Sequence, residues 1–270
     1  MRKIAFIGVG NMAGAIIEGI LKAGMIDYPH LILSDRFPEK CAAYAEKGAV
    51  RAASPAEAAA QADCVVLSVK PQNFGEILPE LSEVAGIENK LIITIAAGIP
   101  SETVRTALGG APVVRVMPNT PMLIGMGVSA ICRADGVSPE NFAFARGIFE
   151  ASGSVTVIDE AEMNRIISVT ASSPAYVFAF INAICEGASA QGLDGDALLP
   201  AVCDMVIGSA TLLKSGSLTP AEQIRVVTSK GGTTERAMNV LNERDMTAMV
   251  VDAMKACTAR AEEMGRVAKG

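Results

Sequence analysis

The run Ile4 to Ile7 followed by Gly8-Val9-Gly10-Asn11-Met12-Ala13 constrains this chain more than any other stretch. "KIAFIGVG" (3–10) is apolar on both faces, as a strand buried between two layers must be. "NMAGAIIEGILKAG" (11–24) carries apolar residues at Ile16, Ile17, Ile20 and Leu21 and closes on Gly24, which reads as a helix. Between them the first glycine permits a tight turn and the second lets a backbone approach a pyrophosphate. Small Ala13 and Gly14 let the helix pack close to the strand. Bare amides at the helix start are a place for phosphate, so Ile7, Gly8, Val9, Gly10, Asn11 and Met12 are expected to line a dinucleotide.

The pattern repeats. "LILSDR" (31–36), "CVVLSVKP" (64–71), "LIITIAAG" (91–98) and "PVVRVMPN" (112–119) read as further strands, with helical stretches at 38–47, 55–62, 73–84 and 100–108. "GVSAICR" (127–133) and "SVTVID" (154–159) flank a helix at 139–151, with Ser138 as cap and Pro139 at its first position. From Glu160 strands vanish. The stretch 160–192 reads as one long helix interrupted near Pro174, followed by helices at 196–215, 220–228, 233–242 and 245–267. The expected fold is an α/β Rossmann-like nucleotide-binding domain (1–158) followed by an all-α domain (159–270). Helices so apolar, rich in Ala and Met, call for association with a second copy. Met163, Met205, Met238, Met246 and Met249 read as core or subunit-interface packing.

Composition removes whole classes of function. A net charge of −6 with scattered Lys and Arg gives no footprint for nucleic acid, leaving a small molecule as the expected partner. No apolar run is read as approaching the ~18 residues that span a bilayer. Met1-Arg2-Lys3 leads straight into a strand pattern without a signal peptide, so no membrane partner and a cytoplasmic address are expected. The six cysteines show no CxxC or metal-ligand spacing and sit among apolar neighbours, so small buried residues are expected and no metal. The single histidine, His30, precedes a strand on what reads as a solvated loop. Ser-His-Asp hydrolysis, Cys-His catalysis and histidine-rich zinc sites therefore fall away.

Asp35, near the end of the second strand pattern, lies where an acid binds adenine ribose hydroxyls, whereas Arg36 with Ser34 would accept the 2′-phosphate of NADP. On these residues NAD and NADP stay nearly even. Ser68, Val69, Lys70 and Pro71 lie at the carboxyl end of the next strand, where ligands bind in such sheets. Ala96, Ala97 and the amide of Asn119 would suit a flat nicotinamide ring.

Taken in order, "GVGNMA", "SVKPQ", "AAG", "RVMPNTP", "ASSPAYVF" and "TSKGGTTERAM" resemble pyrroline-5-carboxylate reductase over essentially the whole chain. The "TSKGGTT" and "SSPAY" elements are specific to that family, while the amino-terminal glycines are common to many dehydrogenases. The resemblance implies NADPH as usual cofactor, with NADH possible, a homodimer or ring of dimers joined through the helical domains, and reduction of 1-pyrroline-5-carboxylate to L-proline. It implies that Gly232, Thr233 and Thr234 hold the substrate carboxylate, beside Gly231 at the same helix start, with the Thr234 hydroxyl near the ring nitrogen as hydrogen-bond partner or proton donor. Gly231 and Gly232 read as leaving amides bare at a helix start. Ser172 and Glu160 match family positions near the substrate. The usual Gly-Ser-Gly-Pro-Ala-Tyr stands here as Ala171-Ser172-Ser173-Pro174-Ala175-Tyr176, with both glycines replaced, and Lys230 stands where many relatives have proline.

Reducing an imine needs neither a nucleophile nor a metal from the protein, which suits a chain with one histidine. A 6-phosphogluconate-dehydrogenase-like oxidoreductase would need a lysine in the long helix after the junction. Here there is Arg165 and no lysine until Lys214. A reductase of a related cyclic imine and a non-catalytic NAD(P)H-sensing dimer remain as alternatives, the latter giving "GGTT" no task.

Overall fold

The computed structural model describes residues 1–267; the last three residues of the expected 159–270 segment lie outside it. The chain forms two compact units, residues 1–174 with 256–270, and residues 175–255. These units break later than the change from mixed to purely helical structure, because the first turns after Glu160 and the end of the last helix pack with the sheet.

The first unit is built on one eight-stranded sheet in the order β3-β2-β1-β4-β5-β6-β7-β8. Its strands are β1 (Ile4–Ile7), β2 (Leu31–Ser34), β3 (Val50–Arg51), β4 (Cys64–Leu67), β5 (Leu91–Thr94), β6 (Val113–Met117), β7 (Gly127–Arg133) and β8 (Gly153–Val157). All neighbours are parallel except β6 and β7. The connection from β6 to β7 carries only a short 3-10 turn, Thr120–Ile124, too little to cross back over the sheet, so β7 returns antiparallel. Strand β3 escapes the sequence reading because its two residues carry no periodicity.

The helices are α1 (Asn11–Lys22), α2 (Glu39–Ala45), α3 (Pro55–Ala60), α4 (Phe74–Ser82), α5 (Ser101–Ala107) and α6 (Pro139–Glu150). Alternate strand residues feed opposite faces. Ile4, Phe6, Leu31, Leu33 and Val66 join one core cluster with α1 and α6. Ala5, Ile7, Ile32, Val65 and Leu67 join another with α3, α4 and α5. Each fully buried Ile or Leu contributes about 1.5–3 kcal/mol, so this double burial fixes the register of every central strand.

After a 3-10 turn at Glu160–Glu162 come α7 (Met163–Ile166), a wider π-helical stretch at Ile167–Ala171, and α8 (Ser173–Ala190). The break expected near Pro174 therefore lies just before it, and Pro174 occupies the second position of α8, where a missing N–H is tolerated. Helices α9 (Gly195–Ser215), α10 (Pro220–Val227), α11 (Thr233–Glu243) and α12 (Met246–Val267) follow.

The second unit has almost no interior of its own. No residue of α8, α10 or α11 is buried, and Phe178, Ile207, Val226, Val227, Val240 and Met249 are exposed. The expectation that no segment could span a bilayer needs correcting: Glu160–Ala190 and Gly195–Ser215 are long and apolar enough by length and composition. Charges in them are too sparse to mark them as surface helices, which is also what association between copies of a chain requires.

Candidate active site

Strand order reverses at β1, with β2 on one side and β4 on the other, and the crevice beyond their carboxyl ends is where ligands bind in such sheets. Ile7 lies level with Ser34 and Leu67, so Gly8, Asp35 and Ser68 each stand one step past a strand end. Gly8 adopts φ 93°, and a Cβ there would stand 2.8 Å from the Ser68 carbonyl oxygen. No side chain other than hydrogen fits.

The turn is braced from both sides. Gly8 N–H donates to the Ser34 carbonyl at 2.7 Å, and the Ser68 hydroxyl donates to the Gly8 carbonyl at 2.6 Å. Asp35 accepts from Val9 N–H at 2.7 Å and from Phe37 N–H at 2.8 Å, with Lys40 Nζ 3.3 Å away. Its side chain is only 7% exposed. The carboxylate that reads in sequence as a ribose ligand is thus committed to the chain's own backbone.

Helix α1 starts at Gly10 with no side-chain cap and no acid in its first turn. Nothing lies within 4 Å of where a Gly10 Cβ would stand. Uncommitted first-turn amides, a positive helix end and open space above them fit a pyrophosphate. Asn11, Arg36 and Lys70 are exposed around this turn, while Met12, Val69 and Pro71 are half-buried. Ser34 is 5% exposed, so its side chain is buried in the strand end.

Beyond β5, Ala96 is 3% exposed and packs in the core, and Ala97 is half-buried. The loop is also pressed from behind. A Cβ on Gly98 would stand 2.5 Å from the Ala261 carbonyl oxygen of α12, and one on Gly265 would stand 2.3 Å from the Gly98 carbonyl oxygen. Beyond β6, Asn119 is 6% exposed; its Nδ2 donates to the Thr170 carbonyl at 3.0 Å and its Oδ1 accepts from Val128 N–H at 2.8 Å. Ser172 accepts from the Cys257 thiol at 3.3 Å.

Glu160 closes a polar cluster on β6. Its Oε1 accepts from Arg115 Nη1 at 2.8 Å and from Ser101 N–H at 3.1 Å, and its Oε2 accepts from the Cys132 thiol at 3.0 Å. Arg115 is 2% exposed and gives its Nη2 to Asn164 at 2.8 Å. Burial alone would raise the Glu160 pKa. The Cys132 and Arg115 hydrogen bonds, the arginine charge and the Ser101 amide outweigh it and hold the carboxyl below its ordinary value. Burial, then the Glu160 contact, pushes the Cys132 thiol well up.

The second glycine turn lies in the other unit. Gly231 has φ 75°, and a Cβ on Gly232, the residue before α11, would stand 2.6 Å from Ser229 Oγ and 3.0 Å from the Ser229 carbonyl oxygen, so Ser229 would have to shift. The two glycine amides are not bare as the sequence reading has it: Gly231 N–H donates to Glu235 at 2.8 Å and Gly232 N–H to the Ser229 carbonyl at 3.0 Å. The uncommitted donors are the amides of Thr233, Thr234 and Glu235, followed by two threonine hydroxyls with no hydrogen bond among the described residues. Thr234 is half-buried and Thr233 exposed. Because Glu235 brings a negative charge to the same turn, a small anion there must be held by neutral donors.

Residues 160–264 match the model described as pyrroline-5-carboxylate reductase dimerisation, and residues 3–98 match one described as NADP oxidoreductase coenzyme F420-dependent. A pyrroline-5-carboxylate reductase from Vibrio alginolyticus is 37% identical, the alignment covering 98% of each chain. This chain belongs to the pyrroline-5-carboxylate reductase family. A solved reductase from Streptococcus pyogenes is 32% identical with a TM-score of 0.89, covering 97% of this chain and 98% of that one. The Plasmodium falciparum pyrroline carboxylate reductase, solved with NADP bound, is 25% identical with a TM-score of 0.88, covering 98% of each chain.

Both exposed apolar helices lie within the segment that matches the dimerisation model, and association with another copy is what such faces suit. Membership in the reductase family leaves His30 without a chemical task. His30 precedes β2, at the end of the sheet away from the glycine turn, and hydrogen bonds to Asp27. Arg115, Asn164, Ser101 and Cys132 escaped the sequence reading. A signal was present for Arg115, since a lone charge inside "VVRVM" must find a partner once the strand is buried.

Proposed function

We propose that the chain reduces 1-pyrroline-5-carboxylate to L-proline with NADPH, and accepts NADH less well. What carries this reading is one observation in a member of this family: two glycine-started helices, α1 and α11, present uncommitted amides, and only α11 adds free hydroxyls. NADPH, when bound, supplies the hydride that the imine carbon receives. The amides of Asn11, Met12 and Ala13 hold the pyrophosphate, and exposed Arg36 and Lys70 face its outer phosphates and ribose. Thr233 and the first-turn amides of α11 hold the substrate carboxylate, and the Thr234 hydroxyl bonds the ring nitrogen, which takes up the proton. Residues 1–158 serve the nucleotide; residues 159–270 serve the substrate and join two copies in a homodimer, which a larger ring would repeat, in the cytoplasm.

The test is direct. Purified protein is expected to oxidise NADPH when given pyrroline-5-carboxylate and to respond little to 2- or 3-keto acids. Turnover of a hydroxy acid with none of the imine would overturn the reading; NADPH binding with no turnover of any cyclic imine would favour a sensor.

Cofactor choice follows from Asp35. The enclosed Asp35 carboxylate, already accepting from the Val9 and Phe37 amides, has less to offer two ribose hydroxyls, whereas Arg36 is exposed and available to a 2′-phosphate. Arg36→Ala is expected to raise KM for NADPH about tenfold, the loss of one charge-assisted pair, and to leave KM for NADH within about twofold. Equal changes in both constants would count against this assignment.

A further inference from the structure

Asn119, at the exit of β6, joins two segments that the reaction must hold in register, and the reason lies in Pro174. In an uninterrupted helix the Thr170 carbonyl would receive the N–H of residue 174; proline has none, and this half-buried carbonyl lacks that helical donor. Asn119 Nδ2 takes that place at 3.0 Å. Its other end accepts from Val128 N–H at 2.8 Å, so the carboxamide is fixed to the sheet. Asn119 is 6% exposed and both ends of its side chain are engaged within the protein.

We propose that Asn119 is a positioning residue for imine reduction. By replacing the donor that Pro174 removes, it ties the π-helical stretch ahead of Ser172 to the end of β6, on the cofactor side of the sheet. The inference rests on the reductase reading above. It also gives a reason why a helix interrupted in its hydrogen bonding keeps one geometry: the widened turn has Ser172 N–H on the Ile167 carbonyl at 2.8 Å, and Asn119 holds the next free carbonyl. A carboxamide is required because it alone offers a donor to Thr170 and an acceptor to Val128 at one side-chain length.

Asn119→Asp keeps the acceptor for Val128 and replaces the donor by an oxygen facing the Thr170 carbonyl. The expected result is a kcat for pyrroline-5-carboxylate lowered at least about tenfold, with the dissociation constant for NADPH within about twofold of the parent. Adding Pro174→Ala to the Asn119→Asp variant returns an N–H to the helix and is expected to recover part of that kcat. Should the Asn119→Asp variant not fold, Asn119→Ser tests the same point: its short hydroxyl cannot bridge both partners, and the same kcat loss with retained NADPH binding is expected. Parent-like kcat in these variants, equal loss of NADPH binding and turnover, or no recovery on adding Pro174→Ala would overturn the proposal. Inactivity of the parent chain towards the imine would instead overturn the reductase reading, so the two failures are distinguishable.

Discussion

Replacing Glu160 with alanine is expected to destabilise the protein by somewhat less than the ~3–5 kcal/mol of breaking a fully buried pair, because it leaves the enclosed Arg115 guanidinium charged while water can enter on the side where Glu160 is 36% exposed. Arg115 is 2% exposed, and its Nε has no hydrogen-bond partner even with Glu160 in place. Of its ligands only Asn164 would remain. Against a total stability of about 5–15 kcal/mol this is a large fraction, and the thermal midpoint is expected to fall on the order of 10 °C. Glu160→Gln should lose less, keeping acceptor geometry without charge. Joint replacement, Arg115→Met with Glu160→Leu, should recover most of the loss, since no buried charge is stranded. The same pair sets a pH dependence. The Glu160 pKa is lowered on folding, so its contribution is present above the unfolded value and is lost as pH falls through the folded one. The parent should therefore lose stability below about pH 4, the ordinary glutamate range, more steeply than the double variant in which both charges are gone. The competing assignment, Glu160 as a substrate ligand, predicts the reverse: an unchanged melting curve and a raised KM for the imine.

Thr234→Ala is expected to lower kcat for the imine about 100-fold while the dissociation constant for NADPH stays within about twofold. The hydroxyl stands half-buried in the first turn of α11 and has no hydrogen bond among the described residues. A polar group held in that state is available to a ligand at little reorganisation cost. Thr234→Ser should keep most activity, because the oxygen remains and only a methyl is lost. Steady-state kinetics with a separate NADPH titration distinguish the outcomes; equal loss of binding and turnover would mean that the α11 turn serves the nucleotide or the fold.

Local features were legible in sequence and non-local commitments were not. The β1 turn, the capped start of α6 and the glycine start of α11 are each written within a few residues, where spacing and backbone sterics suffice. What a polar side chain does after folding depends on strands far away in the chain. Asp35 sits at the right distance from the glycines for a ribose ligand, yet Val9, 26 residues earlier, claims it. Asn119 and Glu160 stand beside ligand-facing elements, yet Thr170 and Arg115 engage them. The lack of an interior in the second unit was foreshadowed by helices too apolar for their number. Their long apolar windows show why hydropathy alone does not separate a membrane span from a face that suits association between copies.

That missing interior makes folding of residues 175–255 an equilibrium in concentration as well as in temperature. If another copy covers its exposed Phe, Ile and Val side chains, such a segment is expected to lose its settled native state on dilution below the dissociation constant of the assembly. The amount of protein in the cell then helps set how much of it is folded, and a defective copy co-expressed with a sound one would draw sound copies into mixed assemblies.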